Sequence, residues 1–136
     1  MALEYDIIEN KRLVIAKGSG TLSRHEIVNH FDTLSKDPRY KAPMKKLVDF
    51  RNVDRFTLSM DDEKKLSAHK SSYEGIFRNE RCAIVSSKDI IYGMSRVHEA
   101  LMFESKIDIN VFRDIHEAIK WIDIKLTESE ISSSFK

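Results

Sequence analysis

Leu3, Tyr5 and Ile7 alternate with Glu4 and Asp6, the period of two of a half-buried strand, and the apolar run Leu13-Val14-Ile15-Ala16 follows a polar turn at residues 9–12. Together they predict an opening antiparallel hairpin. After Gly18-Ser19-Gly20, read as a turn, the tetrad Ser23-Arg24-His25-Glu26 has capping-box spacing, and Ile27, Val28, Phe31 and Leu34 then share one helical face. This helix is expected to stop before Pro38.

The same alternation of apolar run and capped helix recurs three times. The run Leu47-Val48-Asp49-Phe50 leads into a polar turn, Arg51-Asn52-Val53-Asp54, and then a helix over about residues 59–73, opened by Ser59 with Asp62 three residues on. Cys82 to Val85 precedes Ser86-Ser87, either of which suits an N-cap, and a stripe of Ile90, Met94, Val97 and Leu101. Ile107, Ile109 and Val111 alternate with Asp108 and Asn110, and Asp114-Ile115-His116-Glu117 then opens a last helix through Ile115, Ala118, Ile119 and Ile122.

These periods predict an α/β fold of order ββαβαβαβα: a mixed, mostly parallel five-stranded sheet with four helices and right-handed crossovers. The continuously apolar runs at Leu47-Val48 and Ala83-Ile84-Val85 suit central strands, whereas the alternation at 107–111 suits an edge. Residues 1–126 read as one domain, and 127–136 as a polar, frayed tail.

Composition narrows the function classes. With 23 basic and 22 acidic residues in 136, the formal charge of +1 gives no global attraction to nucleic acid or an anionic membrane. Lys41, Lys45 and Lys46, the densest basic group, read as solvated loop. Cys82 is the single cysteine, so no intrachain disulfide forms, and its apolar setting predicts a buried, inert thiol. No apolar run approaches a membrane span, and the acidic start of the chain is unlike a secretory signal, so a cytoplasmic protein without membrane insertion is expected.

No catalytic constellation stands out. His25, His30, His69, His98 and His116 form no ligand pair at i, i+4, so no metal or other cofactor is expected. His98, Glu99 and Arg96 share a helix turn and are read as a solvated flank. Gly18-Ser19-Gly20 lacks the remainder of a phosphate-binding fingerprint. Ser59 is a candidate phosphoacceptor, but its spacing to Asp62 favours an N-cap. Asp49, Arg51 and Asp54 form a polar rim at the carboxyl end of a central strand, where open α/β sheets place ligands. Met94, Met102 and Phe103 suit an apolar pocket or a dimer face.

The segments Lys36-Asp37-Pro38-Arg39-Tyr40, Lys46-Leu47-Val48-Asp49-Phe50-Arg51, Tyr92-Gly93-Met94-Ser95-Arg96 and Val111-Phe112-Arg113-Asp114 resemble small bacterial STAS-like (SpoIIAA-like) proteins of unassigned function, related to the anti-sigma factor antagonists. The resemblance implies a SpoIIAA/STAS-like fold and, by analogy, a regulatory role. In the antagonists an Asp-Ser-Ser-Gly-type motif carries a switch serine. Here that stretch reads Thr57-Leu58-Ser59-Met60, with Asp49 matching the strand aspartate and Val53 the apolar turn residue.

The expectation is a non-enzymatic regulatory or protein-interaction module, preferred over an enzyme, contacting its partner through Asp49, Arg51, Asp54, Ser59, Ser86, Ser87 and Lys88. A protein partner and homodimerisation are expected, and nucleic acid is not. The alternative is a carrier of a small apolar or acidic ligand held between the sheet and the helix over residues 92–103.

Overall fold

The computed structural model describes residues 2–103 and 105–124, so the expected tail at 127–136 lies outside the described residues. The elements are β1 (Leu3–Ile8), a short 3-10 turn (Glu9–Lys11), β2 (Leu13–Ser23), α1 (Arg24–Ser35), β3 (Lys45–Thr57), α2 (Met60–Ser71), β4 (Arg81–Val85), α3 (Asp89–Leu101), β5 (Asp108–Phe112) and α4 (Ile115–Ile122). They build one sheet of order β1-β2-β3-β4-β5, antiparallel at β1–β2 and parallel elsewhere. The expected ββαβαβαβα fold, with five strands and four helices, is the observed one.

Each parallel step moves the chain the same way across the sheet, so right-handed crossovers put α1, α2 and α3 on one face. The last helix is not a crossover and is free to cover the other face. There Ile115, Ala118, Ile119 and Ile122 pack on Leu13, Ile15, Leu47, Ala83 and Val85. The three-helix face holds the larger core, built on Val14, Ala16, Val48, Phe50, Cys82, Ile84, Ile109 and Val111. Strand alternation therefore assigns neighbouring β3 residues to different layers: Lys46, Val48 and Phe50 to the three-helix side, Leu47 and Asp49 to the α4 side.

Four local expectations are corrected. Gly18-Ser19-Gly20 is part of β2, not a turn. A Cβ on Gly18 would lie 2.8 Å from Val53 and 2.9 Å from Phe50, so this glycine permits close packing within the sheet.

The expected turn at Arg51-Asn52-Val53-Asp54 is strand as well, because β3 runs unbroken to Thr57. Between the pairs Lys17–Asp49 and Ser19–Asn52, and again between Gly20–Val53 and Thr21–Arg55, β3 supplies one more residue than β2. Two bulges break the period of two, which made a bent strand read as a turn.

Neither Ser86 nor Ser87 caps α3. Lys88 occupies the N-cap position and Ser86 is fully buried. The α3 stripe is also rotated: Ile90 and Leu101 are exposed, while Ile91 and Ser95 are the buried helix residues. The remaining caps follow the sequence. Ser59 Oγ accepts from Asp62 N–H while the Asp62 carboxylate accepts from Ser59 N–H, both at 3.0 Å. Ser23 N–H donates to Glu26 at 3.2 Å, and Asp114 accepts from His116 N–H at 2.7 Å. Among the described residues, no helix is long and apolar enough to cross a membrane.

Candidate functional site

Between the sheet and α1–α3 lies a cavity of about 60 Å³. Strand β3 contributes Lys46, Val48, Phe50 and Phe56, and β4 contributes Cys82 and Ile84. The helices close it with Ile27, His30, Phe31, Glu63, Leu66, Lys70, Met94, Ser95 and His98. Its walls are mainly apolar. Lys46 and Cys82 are the second residues of their strands, whereas Phe56 and Leu58 lie past the carboxyl end of β4's pairing with β3. The cavity thus has a basic inner end and an apolar end toward the start of α2.

Two lysines reach that inner end for different reasons. Lys70, 1% exposed, sets its Nζ 2.8 Å from Glu80 Oε1, and Tyr40 donates its hydroxyl hydrogen to Glu80 Oε2 at 2.5 Å. Burial alone would lower the Lys70 pKa, but Glu80 outweighs it and holds Lys70 charged. Burial likewise opposes ionisation of Glu80, and the two lysines overcome that and lower its pKa. Lys70 also lies over the Phe31 and Phe77 rings, 5.2 and 5.1 Å from their centroids.

Lys46 is 2% exposed and, among the described residues, has no carboxylate within ion-pair distance. Its Nζ sits 2.6 Å from His30 Nε2. Burial first, and the nearby Lys70 second, pull its pKa down to about 8. The expectation that Lys41, Lys45 and Lys46 form solvated loop fails here: Lys46 is the second residue of β3, and alternation turns it into the core.

His30, 6% exposed, is held well below the ordinary histidine range by burial and by Lys46 and Lys70. A neutral ring that accepts from Lys46 at Nε2 carries its proton on Nδ1. That Nδ1 is the one buried side-chain nitrogen or oxygen without a hydrogen-bond partner among the described residues, a state that costs about 1–3 kcal/mol. His98 is corrected from solvated flank to cavity wall. Its Nδ1 lies 3.0 Å from Ser67 Oγ, and burial pushes its pKa down to about 3. Glu63, 4% exposed, is pushed up to about 7 by burial and by Asp62.

Cys82 is buried with its thiol pKa raised by burial, as an inert core thiol should be. Of the proposed apolar set, Met94 lines the cavity and Met102 is buried, but Phe103 is 87% exposed.

The residues singled out from sequence lie elsewhere. Asp49 faces the α4 side and is gripped by Arg51 through two bonds of 2.9 Å, Nε to Oδ1 and Nη2 to Oδ2. Lys88 donates to the Arg51 carbonyl at 3.1 Å and approaches Asp54 at 3.7 Å. Ser86 is buried behind them, Ser87 is exposed, and Ser59 is occupied by its capping box on α2. The structure therefore joins Asp49, Arg51, Asp54 and Lys88 into one polar rim and leaves Ser59 apart. Sequence reading missed the cavity's inner end. The available signal was a lysine in register with Val48 and Phe50 on an inward face.

Among the described residues no group of three or more histidine, cysteine, aspartate or glutamate side chains is placed to hold a metal ion.

The SpoIIAA-like family model matches residues 13–123. No curated protein matches the chain. Among solved structures, an uncharacterised Shewanella loihica PV-4 protein with a SpoIIAA-like fold is 17% identical, with a TM-score of 0.56, over 89% of this chain and 94% of that one. That likeness concerns the fold.

Proposed function

The chain belongs to the SpoIIAA-like family, and on that premise we propose that it is a non-enzymatic regulatory module which binds a short apolar ligand with an oxygen-bearing head. The observation that carries this reading is the inner end of the cavity. Among the described residues Lys46 has no carboxylate within ion-pair distance, and it stands beside His30, whose buried Nδ1 lacks a hydrogen-bond partner. An oxygen acceptor there satisfies a donor left unpaired by the fold, and a carboxylate would also meet a buried cation. The walls formed by Phe31, Val48, Phe50, Leu66 and Ile84 suit an alkyl chain. A cavity of about 60 Å³ is less than half of the ~150 Å³ that accommodates benzene, which restricts the resident to a short chain.

Butanoate titrated into protein carrying labelled methionine methyl groups tests the reading. A saturable shift at Met94, absent with butylammonium, is expected. No shift at Met94 with butanoate overturns it.

A second reading concerns the polar rim. We propose Arg51, Asp54, Ser87 and Lys88, with the buried Asp49 holding Arg51 in place, as a contact surface for a protein partner, including a second copy of the chain. Its support is the 70% exposed Ile90, two residues beyond Lys88, which adds an apolar anchor beside charged groups. Cross-linking in the native cell is expected to capture a partner through this rim, with loss of capture in Ile90→Asp. Capture unaffected by that change sinks the reading.

A further inference from the structure

The cavity holds a chemically distinctive amine. Lys70 is paired with Glu80, whereas Lys46, among the described residues, has no carboxylate within ion-pair distance and meets a histidine nitrogen at 2.6 Å. A desolvated lysine next to another cation is a recognised way to keep an amine unprotonated and nucleophilic. Beside it, the 94% buried His30 ring lines the same cavity with its Nδ1 unpartnered. The surrounding wall is apolar and bounded by Phe31, Val48 and Cys82, so water is scarce where an imine would otherwise hydrolyse.

We propose that Lys46 captures a short-chain aliphatic aldehyde in this cavity as a reversible imine. The proposal rests on the ligand-binding reading above and names the chemical class and the bond.

The Nζ lone pair adds to the carbonyl carbon, and the carbonyl π electrons move to oxygen. His30 Nε2, already facing Nζ, relays a proton from nitrogen to that oxygen. The carbinolamine nitrogen then gives up its remaining hydrogen, which His30 Nε2 passes to the hydroxyl, and that hydroxyl leaves as water while the carbon–nitrogen double bond forms. Amine and aldehyde give imine and water, with nothing oxidised or reduced, and added water reverses the step. The alkyl chain extends toward Phe50 and Leu66.

The decisive experiment treats the full-length protein with limiting butanal and borohydride, which reduces any imine to a stable secondary amine, followed by intact mass and peptide mapping. One butyl group on Lys46, acquired about tenfold faster than on other lysines, is expected from an amine that gives up its proton more readily than they do and sits in a preformed site. Lys46→Met and Lys46→Arg should lose this fast labelling and keep only slow surface labelling. Labelling spread over surface lysines with Lys46 no faster overturns the proposal in the wild-type protein, whatever the variants' folding.

Butanoate binding, read at Met94, separates the two readings. A shift with butanoate but no fast label on Lys46 overturns the imine and leaves the ligand site standing. Failure of both overturns both.

Discussion

Lys46 Nζ and His30 Nε2 lie 2.6 Å apart inside the core, a lysine bonded to an imidazole with no carboxylate in ion-pair distance among the described residues. A buried amine in this position is cheapest when its proton is easily given up, and a buried histidine beside it is cheapest when neutral. Both conditions hold because burial penalises the charged form of each group, and the positive charge of Lys70 adds to that in the same space. The pair is therefore only partly satisfied, with His30 Nδ1 unpartnered, whereas the neighbouring Lys70–Glu80 pair is satisfied.

That contrast has a stability consequence. Lys70→Met leaves the fully buried Glu80 carboxylate with Tyr40 as its remaining hydrogen-bond partner, and removal of one member of a buried ion pair costs about 3–5 kcal/mol. Urea unfolding should show a loss of that order. The double variant Lys70→Met, Glu80→Gln should recover much of it, because the stranded charge is gone. A single variant as stable as wild type would refute the buried-pair assignment.

Two cavity groups should give stability opposite pH slopes. Glu63 titrates near 7 in the folded protein against 4.5 for an ordinary glutamate, so the native state binds more protons between these values and stability falls as pH rises through that window. Glu63→Gln should then stabilise the protein by about 3 kcal/mol well above pH 7 and leave it unchanged below pH 4.5. His98 titrates near 3 against 6.5, so the unfolded state binds more protons in that interval and stability falls as pH drops from 6.5 toward 3. His98→Asn should flatten that acid limb. Urea midpoints across pH for the three proteins measure both slopes.

Glycine substitutions distinguish a tight site from an open one. Gly18→Ala places a methyl carbon 2.8 Å from Val53 and 2.9 Å from Phe50, an overpacking expected to cost about 1–3 kcal/mol. Gly93 lies within α3 with nothing within 4 Å of an added Cβ, so Gly93→Ala should stabilise by about 1 kcal/mol through helix propensity. Thermal unfolding of the two variants should shift in opposite directions.

Ser59 provides a separate test of local chemistry. Its hydroxyl and Asp62 satisfy each other's backbone N–H groups at 3.0 Å, so Ser59→Ala should destabilise by about 1 kcal/mol and Ser59→Gly by only a few tenths. A neutral Ser59→Ala change in chemical denaturation would remove the capping role.

Legibility in the sequence divided along the range of the interactions. The capping boxes at Ser23 and Ser59 were readable because donor and acceptor lie three residues apart. Apolar runs at 47–48 and 83–85 marked central strands, because burial on both faces leaves no polar alternation. The bulged half of β3 was not readable: two extra residues are meaningful only against the register of β2. Arg51 and Asp54 resembled turn residues for the same reason.

The sequence by itself determined the order of elements, the capped starts of α1, α2 and α4 and the right-handed layering, since these follow from local periodicity, capping and chain chirality, while the SpoIIAA-like fold entered through the resemblance of its segments. Only tertiary structure decided that Lys46, His30, Lys70 and His98, distributed over one strand and three helices, meet at one end of a cavity. A charged residue carries no local mark of burial. Its burial depends on which strand face it occupies and on whether distant groups such as Glu80 and Tyr40 arrive to compensate, and chain closure alone sets those distances.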